Sequence, residues 1–166
     1  MSEQGAMSAE EFRAFYREHL PSVYGYLLRL CAGDEAMAED LTQDVWLRLV
    51  DELRRGHHER ADIRWLITVA RSRFIDDARR QQLGVRKLAL LRRPADDPGE
   101  ATSSEVLDHL ADLRPLHRAV LVLRYVDDLP VPEVAAAIGR DLTATNSLLA
   151  RARADLRRTH RSPSHD

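Results

Sequence analysis

One predicted helix carries the side-chain types that bind an unpaired nucleobase. They are Trp65, Thr68, Arg71, Ser72, Ile75, Arg79 and Arg80. The tryptophan and isoleucine offer a surface for a base, the hydroxyls can bond its edges, and the arginines can hold its phosphates. Apolar residues recur on the other side of the helix, at Leu66, Ile67, Ala70, Phe74 and Ala78. The pattern predicts contact with single-stranded nucleic acid. The alternative is a helix whose outward residues are covered by a neighbouring element.

The residues that would indicate catalysis or a metal site are missing from the sequence. His57 and His58 are adjacent in a polar segment, without the i,i+4 spacing and further ligands that a metal site needs. The sequence has no paired nucleophile and base, no glycine-rich phosphate loop and no HExxH pattern. We therefore expect no metal, no cofactor and no enzymatic activity.

A second predicted helix presents an acidic face. Asp34 is a plausible N-cap for it, and its apolar stripe is Met37, Leu41, Val45, Leu49 and Leu53. Away from that stripe lie Asp40, Gln43, Asp44 and Asp51. This face predicts docking on a partner that presents basic or amide groups, and the alternative is an ordinary solvated face.

The third motif has the form of a helix-turn-helix. Pro132 suits the first turn of a short helix, and Gly139 suits its left-handed C-cap. A last helix follows from about residue 143 to residue 158, with Ser147, Arg151 and Arg158 on its outward face. Hydroxyl and guanidinium donors on such a face predict binding in a DNA groove. The alternative is an amphipathic helix with solvated arginines.

The charges are separated into blocks along the chain. The net charge of −2 argues against a free-standing nucleic-acid binder. Residues 34–52 nevertheless carry a net charge of −6, residues 71–93 one of +6, and residues 142–161 one of +4. Such blocks predict different partners for different surfaces.

The periodicity predicts an all-α protein of two small helical domains. Helical spacing of apolar residues extends through most of the 166 residues, with Pro21 as an expected kink or restart, and strand alternation is absent. Residues 93–104 are rich in Pro, Gly, Ser and acids, as in a flexible linker. We predict an N-terminal domain over residues 11–83, a linker over 84–103 and a helix-turn-helix domain over 104–160.

We expect a folded cytoplasmic protein. Apolar residues make up 44% and charged residues 31% of the sequence, which is too apolar for a disordered chain. The single cysteine, Cys31, excludes a disulfide framework. The sequence has neither a signal-peptide pattern nor an apolar run long enough for membrane insertion.

Three motifs in order resemble the extracytoplasmic-function (ECF) sigma factors of the sigma-70 family. A-E-D-L-T-Q-D-V-W-L-R-L, at residues 38–49, is similar to the family's polymerase-clamp helix. W-L-I-T-V-A-R-S-R-F-I-D-D-A-R-R, at residues 65–80, is similar to its promoter-melting helix. The third motif is similar to the family's helix-turn-helix domain, which reads the −35 element. It consists of L-R-P-L-H-R-A-V-L-V-L-R-Y, V-P-E-V-A-A-A-I-G and R-A-R-A-D-L-R-R.

The resemblance implies a role for each surface and a set of partners. The acidic face, through Asp40, Gln43 and Asp44, would bind the β′ clamp of core RNA polymerase, with the β flap as a second contact. The seven residues of the melting helix would handle the −10 element of promoter DNA, and residues 55–64 would hold a flipped base. The residues expected at the −35 element are Asn146, Ser147, Arg151 and Arg158. An anti-sigma factor is a further expected partner.

Some residues depart from the family pattern. Ser72 stands where asparagine is usual, and residues 55–64 lack the usual phenylalanines. Asn146 and Leu148 stand where the family often has lysine and arginine, so fewer phosphate contacts are expected there. Two alternatives remain: a sigma mimic that titrates an anti-sigma factor without binding DNA, and a conventional helix-turn-helix regulator.

Overall fold

The computed structural model describes residues 6–88 and 110–161, and all of its regular elements in these two ranges are helical. This confirms the all-α prediction. The chain divides into two compact units after Phe74, within the third helix. The predicted linker at residues 84–103 lies partly outside the described residues, and its first five positions continue the third helix.

The N-terminal unit begins with a helical hairpin. Helix α1 is Ala9–Leu30 and helix α2 is Glu35–Arg54. Ser8 caps α1 through a reciprocal pair of hydrogen bonds with Glu11, at 2.7 and 3.2 Å. Asp34 caps α2 by accepting a hydrogen bond from Met37 N at 3.0 Å, as predicted. Local hydrogen bonding therefore fixes where both helices start.

Pro21 lies inside α1, which continues through it without a restart. The residue is exposed, so water can reach the carbonyl that loses its hydrogen bond four residues earlier. The expected restart at this position is therefore wrong.

After α2 the chain forms a short 3₁₀ turn, His58–Arg60, and then helix α3, Ile63–Leu88. All three long helices contribute to the core. The fully buried side chains of the N-terminal unit include Val23, Leu27, Leu30, Val45, Leu49, Leu66, Ala70 and Phe74. Because helical neighbours recur every three to four residues, each helix contributes one stripe to this core.

The C-terminal unit is a compact bundle that ends in a helix-turn-helix. Helix α4, Pro115–Leu121, continues into a π-helical turn, Val122–Val126. Helix α5 is Val131–Ile138, and helix α6 is Leu142–Arg161. The core side chains include Leu116, Val120, Leu123, Val134, Ile138, Leu149 and Ala152. The predicted pair of helices is thereby confirmed.

Both ends of the α5–α6 turn are set by local chemistry. Gly139 ends α5 in the left-handed conformation, with φ 65° and ψ 41°. Asp141 Oδ1 accepts a hydrogen bond from Ala144 N at 2.7 Å, as an N-cap does for α6. A turn of three residues therefore fixes the angle between the two helices.

Gly25, inside α1, and Gly139, at the C-cap of α5, predict opposite effects of substitution by alanine. Gly139→Ala should destabilise the protein by about 1 kcal/mol, because left-handed backbone is unfavourable for a residue with a Cβ. Gly25→Ala should stabilise it by roughly 0.5–1 kcal/mol, because Gly25 lies inside α1 and a Cβ there meets nothing within 4 Å. Urea unfolding followed by circular dichroism measures both, and equal midpoints for the two variants would contradict the assignment.

Candidate functional site

Helix α3 buries one side and exposes the other. Of the predicted apolar stripe, Leu66, Ala70, Phe74 and Ala78 are fully buried, whereas Ile67 is only half-buried. On the other side Thr68, Ser72 and Arg80 are exposed, while Trp65, Arg71 and Arg79 are half-buried. Six of the seven residues proposed to meet nucleic acid therefore retain accessible surface.

Ile75 is the exception, because it is only 2% exposed. It follows Phe74 by one residue, about 100° around the helix, which puts it at the edge of the buried stripe. An aliphatic side chain at such an edge gains free energy by turning into the core. The expectation that Ile75 offers an outward surface for a base is therefore corrected.

Three contacts set the geometry at the start of α3. The Arg60 guanidinium lies over the Trp65 ring, 5.9 Å from its centroid. The Thr68 hydroxyl donates to the Arg64 carbonyl at 2.9 Å, so its oxygen remains an acceptor. Arg71 Nε donates to the Tyr26 hydroxyl at 3.2 Å, which ties α3 to α1. The site thus combines an aromatic face, an acceptor and arginines, two of them held by other side chains.

The segment that joins α2 to α3 is anchored by Glu52, whose side chain is only 6% exposed. Its carboxylate contacts Arg48 Nη2 at 2.8 Å and His57 Nδ1 at 2.7 Å. The hydrogen bond from His57 lowers the pKa of Glu52, burial opposes this, and the charge of Arg48 adds to the lowering. His57 therefore holds the segment in place, and the described residues contain no cluster of three metal-ligating side chains.

The acidic face of α2 adjoins an apolar cleft that the sequence did not predict. Asp40, Gln43 and Asp44 are exposed on α2. Beside them is an open cleft of about 300 Å³, whose lining includes Phe12, Tyr16, Gln43, Trp46, Leu47 and Val50. Leu47 is 67% exposed, although an exposed leucine in this position breaks the polar pattern of the outward face. That irregularity was the available sequence signal.

Trp46 forms the floor of this cleft. Its ring packs against Tyr16 and Phe12 with centroids 4.6 and 6.3 Å apart. Trp46 Nε1 is buried and has no hydrogen-bond partner within the described part of the chain. The acidic face and the aromatic cleft together form one mixed surface, which we call the α2 surface.

The outward face of α6 is arranged as the helix-turn-helix pattern predicted. Asn146, Ser147, Arg151 and Arg158 are exposed. Arg151 Nε contacts the Ser147 carbonyl at 3.4 Å, and Arg158 is paired with Asp155. The face therefore presents polar donors without a bulky apolar side chain between them.

Comparisons with known proteins agree on the family. Models of Sigma-70 region 2 and Sigma-70, region 4 match residues 15–83 and 103–156. RNA polymerase sigma factor YlaC of Bacillus subtilis is 33% identical over 156 residues, which cover 86% of this chain and 88% of YlaC. ECF sigma factor SigL of Mycobacterium tuberculosis is 33% identical over 147 residues, 81% of each chain. The chain is an ECF sigma factor of the sigma-70 family.

A solved structure shares the fold. The sigma factor RpoE of Bartonella quintana, in a co-crystal with the anti-sigma factor NepR, has a TM-score of 0.58 and 19% identity. The match covers 92% of this sigma factor and 98% of RpoE. None of the helices in the described ranges is long and apolar enough to cross a membrane.

Burial shows what Leu148 does in this fold. The family often has a cation at this position of α6, but Leu148 is only 2% exposed and belongs to the core. It neighbours Leu149 and lies one turn from Ala152, both of which are buried. Leu148 therefore serves the core of the C-terminal unit, and the expected loss of phosphate contacts at residues 146 and 148 stays a prediction.

The Glu52 contacts predict a pH-dependent stability of the N-terminal unit. Because the pKa of Glu52 is lowered from 4.5, its stabilisation is complete above that value and is lost as the pH falls through the lowered pKa. Glu52→Gln should have a lower urea midpoint than the wild type at neutral pH. The difference between the two midpoints should become smaller in acid. Glu59→Gln, an exposed change in the same segment, is the control and should leave the midpoint unchanged. A constant Glu52→Gln deficit at all pH values would argue against ionic anchoring.

Proposed function

We propose that this sigma factor binds core RNA polymerase and directs transcription initiation at promoters with matching −10 and −35 elements. It catalyses no reaction itself and acts in the cytoplasm, where the polymerase works. The observation that supports the proposal is the presence, on one chain, of the acidic α2 surface and of an α3 face that carries Trp65 and arginines. A protein that only bound duplex DNA would need neither surface.

The α2 surface suits a protein partner. Its exposed carboxylates at Asp40 and Asp44 can pair with basic groups, and the Gln43 amide can both donate and accept. Leu47 and the adjacent cleft add apolar area that a partner helix can cover. We assign this surface to the β′ clamp, and the C-terminal unit to the β flap.

The start of α3 suits capture of bases from an opened −10 element. Trp65 can stack on a base while Arg60 supports its ring from within residues 55–64. The Thr68 oxygen and the Ser72 hydroxyl can bond to base edges. Farther along α3, Arg79 and Arg80 can hold the DNA backbone, and Ile75 serves as support within the core.

The face of α6 suits the major groove at the −35 element. Ser147 and Arg151 are exposed in its first half and Arg158 in its second. Guanidinium groups read guanine bidentately and hydroxyl groups read several bases. Arg151 and Arg158 are the two arginines assigned to this face, and so few cations on a chain of net charge −2 are consistent with promoter binding that depends on the polymerase.

An anti-sigma factor is the regulatory partner that we propose. RpoE, which has the same fold, is seen in complex with one. The α2 surface is the candidate site, because a helix that covered its aromatic cleft would also screen Asp40 and Asp44 from the polymerase.

Run-off transcription with core polymerase tests the main proposal. The Asp40→Arg/Gln43→Ala/Asp44→Arg variant should lose promoter-dependent transcript by tenfold or more, because reversing two charges replaces attraction with repulsion. Glu18→Arg/Asp112→Arg makes the same charge change at exposed acids outside α2 and should retain activity. If the wild-type chain gives no transcript but binds an anti-sigma factor and so frees another sigma factor from inhibition, it is a mimic. If it shifts duplex DNA without polymerase, it is a conventional regulator.

Base capture is tested separately at Trp65. Trp65→Ala should reduce open-complex formation by roughly 5- to 150-fold, which corresponds to about 1–3 kcal/mol of stacking. Permanganate reactivity of thymines in the −10 element measures the opening. Trp65→Phe keeps an aromatic face and should recover most of it, and equal reactivity in all three proteins would exclude stacking on this ring.

A further inference from the structure

The C-terminal unit contains an open cleft whose lining includes residues outside the predicted binding set. Its volume is about 630 Å³, and it lies between the start of α4 and the outward side of α6. The charged and titratable groups that line it are Arg114, His117, Arg151, Asp155, Arg157 and Arg158. Arg151 and Arg158 also belong to the proposed −35 face, so the cleft continues that face onto α4.

We propose that this arginine cleft binds a backbone phosphate of duplex DNA beside the −35 element, with Arg114 as a phosphate-binding residue. The inference rests on the proposed function and extends its DNA interface from α6 to the residue that precedes α4. Arg114 stands outside the helix-turn-helix, and for that reason the sequence pattern did not single it out.

The charge balance of the cleft favours an anion. Four arginines surround it, and its one carboxylate, Asp155, is already engaged by His117 at 2.6 Å and by Arg158. None of the described carboxylates pairs with Arg114, Arg151 or Arg157 within 4.0 Å. Guanidinium groups bind phosphate oxygens bidentately, so a phosphate would relieve the repulsion among these cations.

The His117–Asp155 pair keeps the two sides of the cleft at a fixed spacing. It joins α4 to α6 across 38 positions of sequence, with both side chains largely buried, at 10% and 18% exposure. His117 is a positioning residue, because it acts on the ligand through Arg114 and Arg151 rather than by contact. The arginines therefore face a phosphate without first having to be brought together.

The same pair links phosphate binding to protonation. Burial lowers the pKa of His117, and the charges of Arg114, Arg151, Arg140 and Arg158 lower it further. Asp155 is the one carboxylate described in contact with it. A bound phosphate would offset the arginine charges and raise the pKa of His117. Binding would then take up a proton, and affinity should rise as the pH falls through the pKa that His117 has in the complex.

A backbone phosphate of duplex DNA fits better than a small free anion. The cleft is open, and it runs directly into exposed donors on the recognition helix. DNA-binding proteins commonly fix their register with phosphate contacts next to the residues that read bases. Arg114 would have this positioning role, so it should affect all −35 sequences alike.

The test uses holoenzyme assembled with the full chain and a promoter duplex that wild-type holoenzyme selects from a library randomised at −10 and −35. Arg114→Gln should weaken binding about tenfold and reduce the slope of log affinity against log salt by about 0.9. The control is Arg153→Gln. Arg153 is exposed, does not line the cleft, and donates a hydrogen bond to the Tyr125 hydroxyl instead. This substitution should leave both quantities unchanged.

Single methylphosphonate substitutions then locate the contact. At one −35 phosphate, the neutral methylphosphonate should lower the DNA affinity of the wild-type holoenzyme about tenfold. It should leave the affinity of the Arg114→Gln holoenzyme unchanged. His117→Gln should remove the rise in affinity at low pH. Its salt slope should differ from that of the wild type by no more than the slope that one arginine contributes. Arg157→Gln, an exposed change in the same cleft, repeats the measurement if Arg114→Gln disturbs folding.

The outcomes are distinguishable. An unchanged salt slope in both Arg114→Gln and Arg157→Gln, or equal methylphosphonate effects in variant and wild type, overturns the phosphate cleft but leaves the sigma function intact. Weakened binding of Arg114→Gln to core polymerase without DNA would assign the cleft to an acidic protein surface instead, which also overturns it. If wild-type holoenzyme selects no promoter from the library, the proposed function itself fails.

Discussion

Burial of one side of α3 is the constraint on which the candidate −10 surface depends. Leu66, Ala70 and Phe74 have no exposed surface, so the helix has a single rotational setting in its unit. That setting determines which side chains remain for a ligand. Arg71 links packing to the binding surface. Its hydrogen bond to Tyr26 joins α3 to α1, and the same side chain lies at the edge of the outward face.

The features predicted from sequence are those that local chemistry decides. Asp34 and Gly139 cap helices because an N-cap oxygen or a left-handed residue is needed there, whatever the neighbouring helices do. Ile75 was misjudged because it lies at the margin of a buried stripe, where packing decides the orientation. The cleft beside Trp46 needs two helices, and periodicity within one segment carries no information about a surface shared between two. The same limit hid the contact between α4 and α6.

Opposite charges on different surfaces explain how a protein of net charge −2 can have a nucleic-acid-binding role. The carboxylates on α2 repel phosphate, and at physiological salt such repulsion extends over roughly 8 Å. A partner that covered α2 would remove this repulsion and would leave the arginines of α3 available. Separate surfaces for the two charges are therefore compatible with promoter binding that depends on the polymerase.

Several arginines at the candidate sites are held before any ligand arrives. Arg71 is tied to Tyr26, Arg60 rests on Trp65, and Arg158 is paired with Asp155. Ordering a free arginine side chain costs about 2 kcal/mol of rotamer entropy, so prior ordering removes part of the cost of binding. These contacts are individually weak at a surface. Their effect is therefore on specificity more than on folding: they restrict where each cation can meet a phosphate or a base. Arg80, which is exposed on α3, adds charge without such a restriction.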